Sequence, residues 1–180
     1  MNKMNIKEKV KTAIETLLSK DAWLLKNDLS EWSITHKLAE YLQPLFSEYN
    51  VDCEYNGNVE RDGGRKRICV LKGELRRKNI RLSDAEKDEI DTEFADRAVF
   101  PDIIVHRRGT NDYNLCIIEV KKSTNTTSPD YDEIKLKAYT TGYYGNDLKY
   151  EIGIFIEFVT RTADIGFKMK YFINGEEVNE

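Results

Sequence analysis

Apolar residues recur along the chain at two different spacings, and the change from one to the other predicts the elements. Ile6, Val10, Ala13, Ile14 and Leu17 fall at helical intervals and predict an amphipathic helix over about 5–19. Ile34, Leu38, Leu42 and Leu45 form a second stripe, predicting a helix from about Ser30 to Ser47. VDCEYN (Val51–Asn56) alternates as a strand does and runs into the turn-forming NGN. Ser83 followed by Glu86 is a capping box for a charged helix reaching about Ala95.

Two strands follow, roughly Val99–His106 and Asn114–Lys121, joined by a turn around GTND. Pro129 and Asp130 open a helix, YDEIKLKAYTTG. The unbroken apolar run Tyr150–Phe158 has the pattern of a strand buried on both faces. A last strand, Phe167–Ile173, closes the chain before NGEE. From Asn114 to Phe158 the order is strand, helix, strand, so those two strands should run parallel with a right-handed crossover. The fold class is α/β, a mixed central sheet flanked by helices.

Length and composition fit one domain of ordinary globular type: 180 residues, 40% hydrophobic and 33% charged. Cys53, Cys69 and Cys116 lie far apart in strand-like runs, with no CxxC or Cys/His cluster. Buried, reduced thiols are expected, and neither a zinc site nor a disulfide framework. No run is long and apolar enough for a membrane span, and the N-terminus lacks the apolar core of a signal peptide. A cytoplasmic protein is the expectation.

The net charge of −4 hides an asymmetry. Residues 61–81 carry nine Lys/Arg against Asp62 and Glu74, a local +7, which leaves −11 for the remainder. Such a block suits phosphate contacts or a solvated face equally well.

The candidate chemistry lies in two strands that each carry a carboxylate among apolar residues. If GTND (109–112) is the turn, paired residues sum to 221, and Asp102 falls opposite Glu119 with Cβ atoms about 5 Å apart. Lys121 shares their face, while Ile103, Val105, Cys116, Ile118 and Val120 point the other way. Two carboxylates that close repel by about 3 kcal/mol at an effective dielectric near 20. A shared proton, a cationic side chain such as Lys121, or a hard divalent ion such as Mg²⁺ would relieve this. Glu31 begins the Leu38/Leu42/Leu45 stripe and is a third candidate acid; alternatively Asp28 and Glu31 form a capping box.

Pro101-Asp102 followed by Glu119-Val120-Lys121 resembles the signature of the PD-(D/E)XK, or restriction-endonuclease-like, nuclease superfamily, and the element order is similar to its αβββαβ core. EYN (Glu54–Asn56), PDIIVHRRG (Pro101–Gly109) and the DEIKLKAYT helix also resemble a group of small uncharacterised microbial members. The resemblance covers 31–158, with an extra N-terminal helix and a basic insertion over about 57–97. It implies a Mg²⁺- (or Mn²⁺-) dependent nuclease acting on DNA. Asp102, Glu119 and the Val120 carbonyl would hold the ion, Glu31 would complete its shell, and Lys121 would serve the attacking water or the transition state. Arg65, Lys66, Arg67, Arg76, Arg77 and Lys78 are the candidates to position a phosphate backbone. Members that cut both strands often pair, so a homodimer is compatible.

Lys135 and Tyr139 share a helix face where the family sometimes places an assisting residue, but ordinary surface charge is the better expectation. His36 and His106 have no partner at ligand spacing and are read as structural. Two other functions stay open: a non-catalytic or partner-dependent nucleic-acid-binding module on the same fold, in phage defence or DNA repair, and a purely structural role for Asp102 and Glu119 at strand ends.

Overall fold

The computed structural model describes residues 2–89 and 92–179. Its centre is a six-stranded mixed sheet of β1 (Asn50–Cys53), β4 (Ile103–His106), β5 (Cys116–Lys122), β6 (Ile152–Val159), β7 (Gly166–Ile173) and β8 (Glu176–Val178), in the order β1-β4-β5-β6-β7-β8. Only β5 and β6 are parallel. The helix α6 (Asp130–Thr140) crosses between them, so the expected βαβ unit is present.

One face of the sheet is covered by α1 (Lys3–Lys20) and α3 (Glu31–Leu42). The stripe Ile6, Val10, Ala13, Ile14 and Leu17 is fully buried with Ile34, Leu38 and Leu42 against Ile103, Val105, Cys116, Ile118 and the even-numbered isoleucines of β6. The helical period of α1 is thus satisfied by burial along one stripe. Between the two helices lies the short α2 (Ala22–Lys26).

The opposite face packs Ile104, Ile117 and Phe155 beneath Ile134, Leu136, Ala138 and Tyr139 of α6. Alternate residues of one strand therefore serve two different cores, as the period of two requires. Gly153 lets α6 approach: a Cβ there would lie 3.1 Å from Leu136 Cδ2 and 3.3 Å from Thr140 Cγ2. Gly153→Val should therefore destabilise the protein by about 1–3 kcal/mol through overpacking. Thermal unfolding followed by circular dichroism should show Tm lowered by several degrees.

The insertion departs most from expectation. Ser83 and Glu86 do form the capping box, but the helix they start, α5, covers only Asp84–Asp88. Residues 90 and 91 of the expected longer helix lie outside the described residues. Phe94–Ala98 is instead a strand, β3, paired antiparallel with β2 (Arg67–Leu71) in a separate two-stranded sheet. Its alternation is short, and its partner lies about 27 residues away, so only the tertiary pairing selects strand over helix. The helix α4 (Lys72–Arg77) completes the insertion.

Two further corrections are local. NG at Asn174–Gly175 is a hairpin turn into β8 and does not close the fold; both residues have positive φ, as a type I′ turn needs. Cys53 is exposed, Cys69 half-buried and Cys116 buried, so the thiols are free but not uniformly buried.

Candidate functional site

The β4–β5 hairpin has the expected register. Ile103 pairs with Ile118, Ile104 with Ile117 and Val105 with Cys116, each pair summing to 221. The ladder stops one step short of Asp102 and Glu119. Pro101 lacks an N–H, and Asp102 uses its side chain: Oδ2 accepts the Val120 N–H at 2.7 Å. Asp102 thereby sits at the end of the sheet against β5, beside Glu119 and Lys121.

Glu119 is 2% exposed, on the face covered by α6. Its Oε2 accepts from Lys135 Nζ at 2.7 Å, while Oε1 is buried with no hydrogen-bond partner. Lys121, 8% exposed, donates to Asp132 Oδ2 at 2.9 Å. Lys135 also reaches Asp132 Oδ1 at 3.0 Å. The site is therefore an alternating chain, Glu119–Lys135–Asp132–Lys121, with Asp102 at its flank.

This assigns α6 a larger part than its sequence suggested. Lys135 and Tyr139 are not surface residues: Tyr139 is fully buried and Lys135 largely so. The surface expectation fails because α6 lies flat on the sheet and turns the stripe Asp132, Lys135, Tyr139 towards β5. Sequence reasoning missed Asp132, although it stands three residues before Lys135 and shares its face.

Burial sets the electrostatics. It pushes the Glu119 carboxyl up to about 8, an effect the Lys135 ammonium opposes and the Asp102 and Asp132 carboxylates reinforce. Burial likewise raises Asp102 to about 6, against the Val120 N–H and Lys135, with Asp132 and Glu31 adding to the rise. Burial alone would lower the Lys135 ammonium, but Glu119 and Asp132 hold it well above its ordinary value. Burial and the Glu119 charge raise the Tyr139 hydroxyl, which has no hydrogen-bond partner among the described residues.

Glu31 comes from the other side of the sheet. The alternative capping box is overturned: Ser30 caps α3 by accepting the Ser33 N–H. Asp28 is drawn away to Lys122, Thr124 and Thr160. Glu31 Oε1 accepts the Lys122 N–H at 2.9 Å and Asn125 Nδ2 at 2.8 Å, which fixes it at the end of β5. It meets Asp102 across a cavity of about 250 Å³ lined also by Trp32, Thr35, His36, Cys53 and Glu54.

Among the described residues no three His, Cys, Asp or Glu side chains form a ready cage for a metal ion. Mg²⁺ needs only one or two carboxylates and keeps its waters. Asp102 and Glu119, with an orphaned buried oxygen on the latter, fit that smaller demand.

The basic candidates divide. Lys66 is 1% exposed, donates to the Gly57 carbonyl and lies over the Tyr55 ring, so it is a core residue and not a phosphate contact. Burial lowers its ammonium to about 8. Arg67 is paired with Asp96 and Lys78 with Asp130. Arg65, Arg76 and Arg77 are exposed and make no ion pair among the described residues. His106 is structural, its Nε2 2.9 Å from Asp52 Oδ2, a carboxylate that Arg108 shares.

No helix among the described residues is long and apolar enough to cross a membrane. Compared with known proteins, the chain matches no protein-family model, no curated protein and no solved structure.

Proposed function

We propose that the protein is a Mg²⁺-dependent nuclease that hydrolyses phosphodiester bonds, in DNA first of all, on a restriction-endonuclease-like core. The observation that carries this reading is the end of the β4–β5 hairpin. There Asp102 grips the Val120 N–H beside a buried Glu119 with an unpartnered oxygen, and the Lys121 ammonium lies on the same face.

Asp102, Glu119 and the Val120 carbonyl would hold the ion. When bound, it supplies the water acidification near neutral pH and the positive charge beside the scissile phosphate that the hydrolysis needs. The chain's own residues do the rest. Lys121, oriented by Asp132, places a positive charge where negative charge builds on the phosphate oxygens. Lys135 keeps Glu119 from repelling Asp102 before the ion arrives. Glu31 stiffens the end of β5 through the Lys122 N–H and adds negative potential at Asp102. Because both acids are raised towards neutrality, ion binding must displace protons.

The test is cleavage of plasmid, linear and single-stranded DNA with Mg²⁺ or Mn²⁺. Wild type should cut in a metal-dependent way, and Lys121→Ala should cut about 10²–10³-fold more slowly, the usual loss when one preorganised electrostatic group is removed. Equal behaviour of the two proteins at background level defeats the proposal.

One observation favours a second reading, a nucleic-acid-binding module without cleavage. Lys135 already satisfies one Glu119 oxygen and partly neutralises the site. That reading expects salt-sensitive DNA binding, weakened by Arg76→Glu with Arg77→Glu, and no metal-dependent nicking.

A further inference from the structure

The cavity between Glu31 and Asp102 has a composition that the hydrolytic chemistry does not explain. Trp32 lines it and is 71% exposed, directly after Glu31 on the first turn of α3. Phe100 is 58% exposed, two residues before Asp102. Of these two rings only Trp32 lines the cavity.

The acids of the cavity decide what can enter. Glu31, Glu54 and Asp102 line it, so a phosphate cannot lie there without a cation, whereas an uncharged base can. Its volume of about 250 Å³ is below the roughly 300–1,000 Å³ of sites for drug-sized ligands. It is the size for one ring system and too small for a base pair. Trp32 offers a face for stacking, which tolerates any base. Glu31, Glu54, Thr35 and His36 offer polar atoms for the edge of a base.

We infer that this cavity receives an unpaired base stacked on Trp32, next to the phosphate that an ion at Asp102 and Glu119 would hold, so that the substrate is single-stranded at the cleaved position. The inference rests on the nuclease reading for its placement of the phosphate. A paired base cannot reach the cavity, because its edge and both faces are occupied within the duplex.

The chain has two tryptophans, Trp23 and Trp32. Trp23 is exposed, so Trp23→Phe leaves Trp32 as the lone fluorescent reporter in an otherwise intact protein. The experiment titrates that variant with a single-stranded DNA oligonucleotide and with a blunt duplex of the same length and sequence, in Ca²⁺ instead of Mg²⁺. The single strand should quench Trp32 emission and the duplex should not. Trp32→Ala, followed by anisotropy of a labelled oligonucleotide, should weaken single-strand binding about 10- to 100-fold, the size of one lost base–aromatic stack, while Trp32→Phe restores most of it. Equal quenching by both DNAs, or single-strand affinity within twofold of wild type in Trp32→Ala, overturns the inference. The readout is binding: absence of cleavage with quenching intact strikes only the nuclease reading, and cleavage with a silent Trp32 strikes only the inference.

Discussion

Glu119→Gln should abolish the proposed metal-dependent cleavage and, at pH 8, make the protein more stable than wild type. The carboxyl titrates at about 8 in the folded chain against an ordinary value of 4.5, chiefly because it is buried. Between those values the folded state holds a proton that the unfolded state has lost, so stability falls as pH rises. The contribution is complete below about pH 4.5 and is lost as pH passes through 8. Gln has the shape of the neutral acid, still accepts from Lys135, and does not ionise in the unfolded chain. Its advantage should therefore be near zero at pH 5 and on the order of a few kcal/mol at pH 8. For a chain of this length each kcal/mol moves Tm by roughly 2–4 °C. Scanning calorimetry of both proteins at the two pH values measures it. A Tm difference that ignores pH would mean that Glu119 is not held near neutrality. Asp102, raised to about 6 by burial, adds the same trend over a lower window, from about pH 4 to 6.

Lys135→Ala should be the most damaging single change in the site. It removes the cation from Glu119 Oε2 and from Asp132 Oδ1 at once. Breaking a buried pair typically destabilises by roughly 3–5 kcal/mol where the partner left behind is charged, a condition Glu119 meets only as pH approaches 8. Protonation of Glu119 offers an escape at low pH, so the loss should be larger at pH 8 than at pH 5. A divalent ion that binds only the folded state restores stability in proportion to RT ln(1 + [L]/Kd). If Asp102 and Glu119 hold one, millimolar Mn²⁺ should raise the Tm of Lys135→Ala by more than it raises that of wild type. Equal Mn²⁺ responses would instead separate Lys135 from the ion site. Lys135→Met, which keeps an unbranched apolar stem but no charge, separates lost charge from lost packing.

The two predictions differ in how readable their residues were. Asp102, Glu119 and Lys121 were legible because a hairpin is a local object. A turn of known centre fixes the register, and the register fixes which side chains share a face. Glu31 was legible in part: the helical stripe placed it at the sheet, but its partner, the Lys122 N–H, lies 91 residues away and carries no signal of its own. Lys135 and Asp132 were misjudged or missed because charged residues on a helix are normally solvated. Here the helix covers a face that already contains a buried carboxylate.

The insertion shows the same division. The Ser83–Glu86 box is a four-residue interaction, and it is present. Whether the following residues continue as helix or turn into β3 depends on a ladder to β2, which local propensity does not encode. Lys66 resembles its basic neighbours in sequence, and only the Tyr55 ring and the Gly57 carbonyl make it part of the interior.

By itself, the sequence determined the class of fold, the stripes of α1 and α3, the parallel crossover and the hairpin register, all set by periodicity and short-range turns. The tertiary structure alone decided which charges are paired, which acids are raised towards neutrality and which aromatic stands open beside them. Those depend on desolvation and on contacts between distant segments, quantities that no window of neighbouring residues contains.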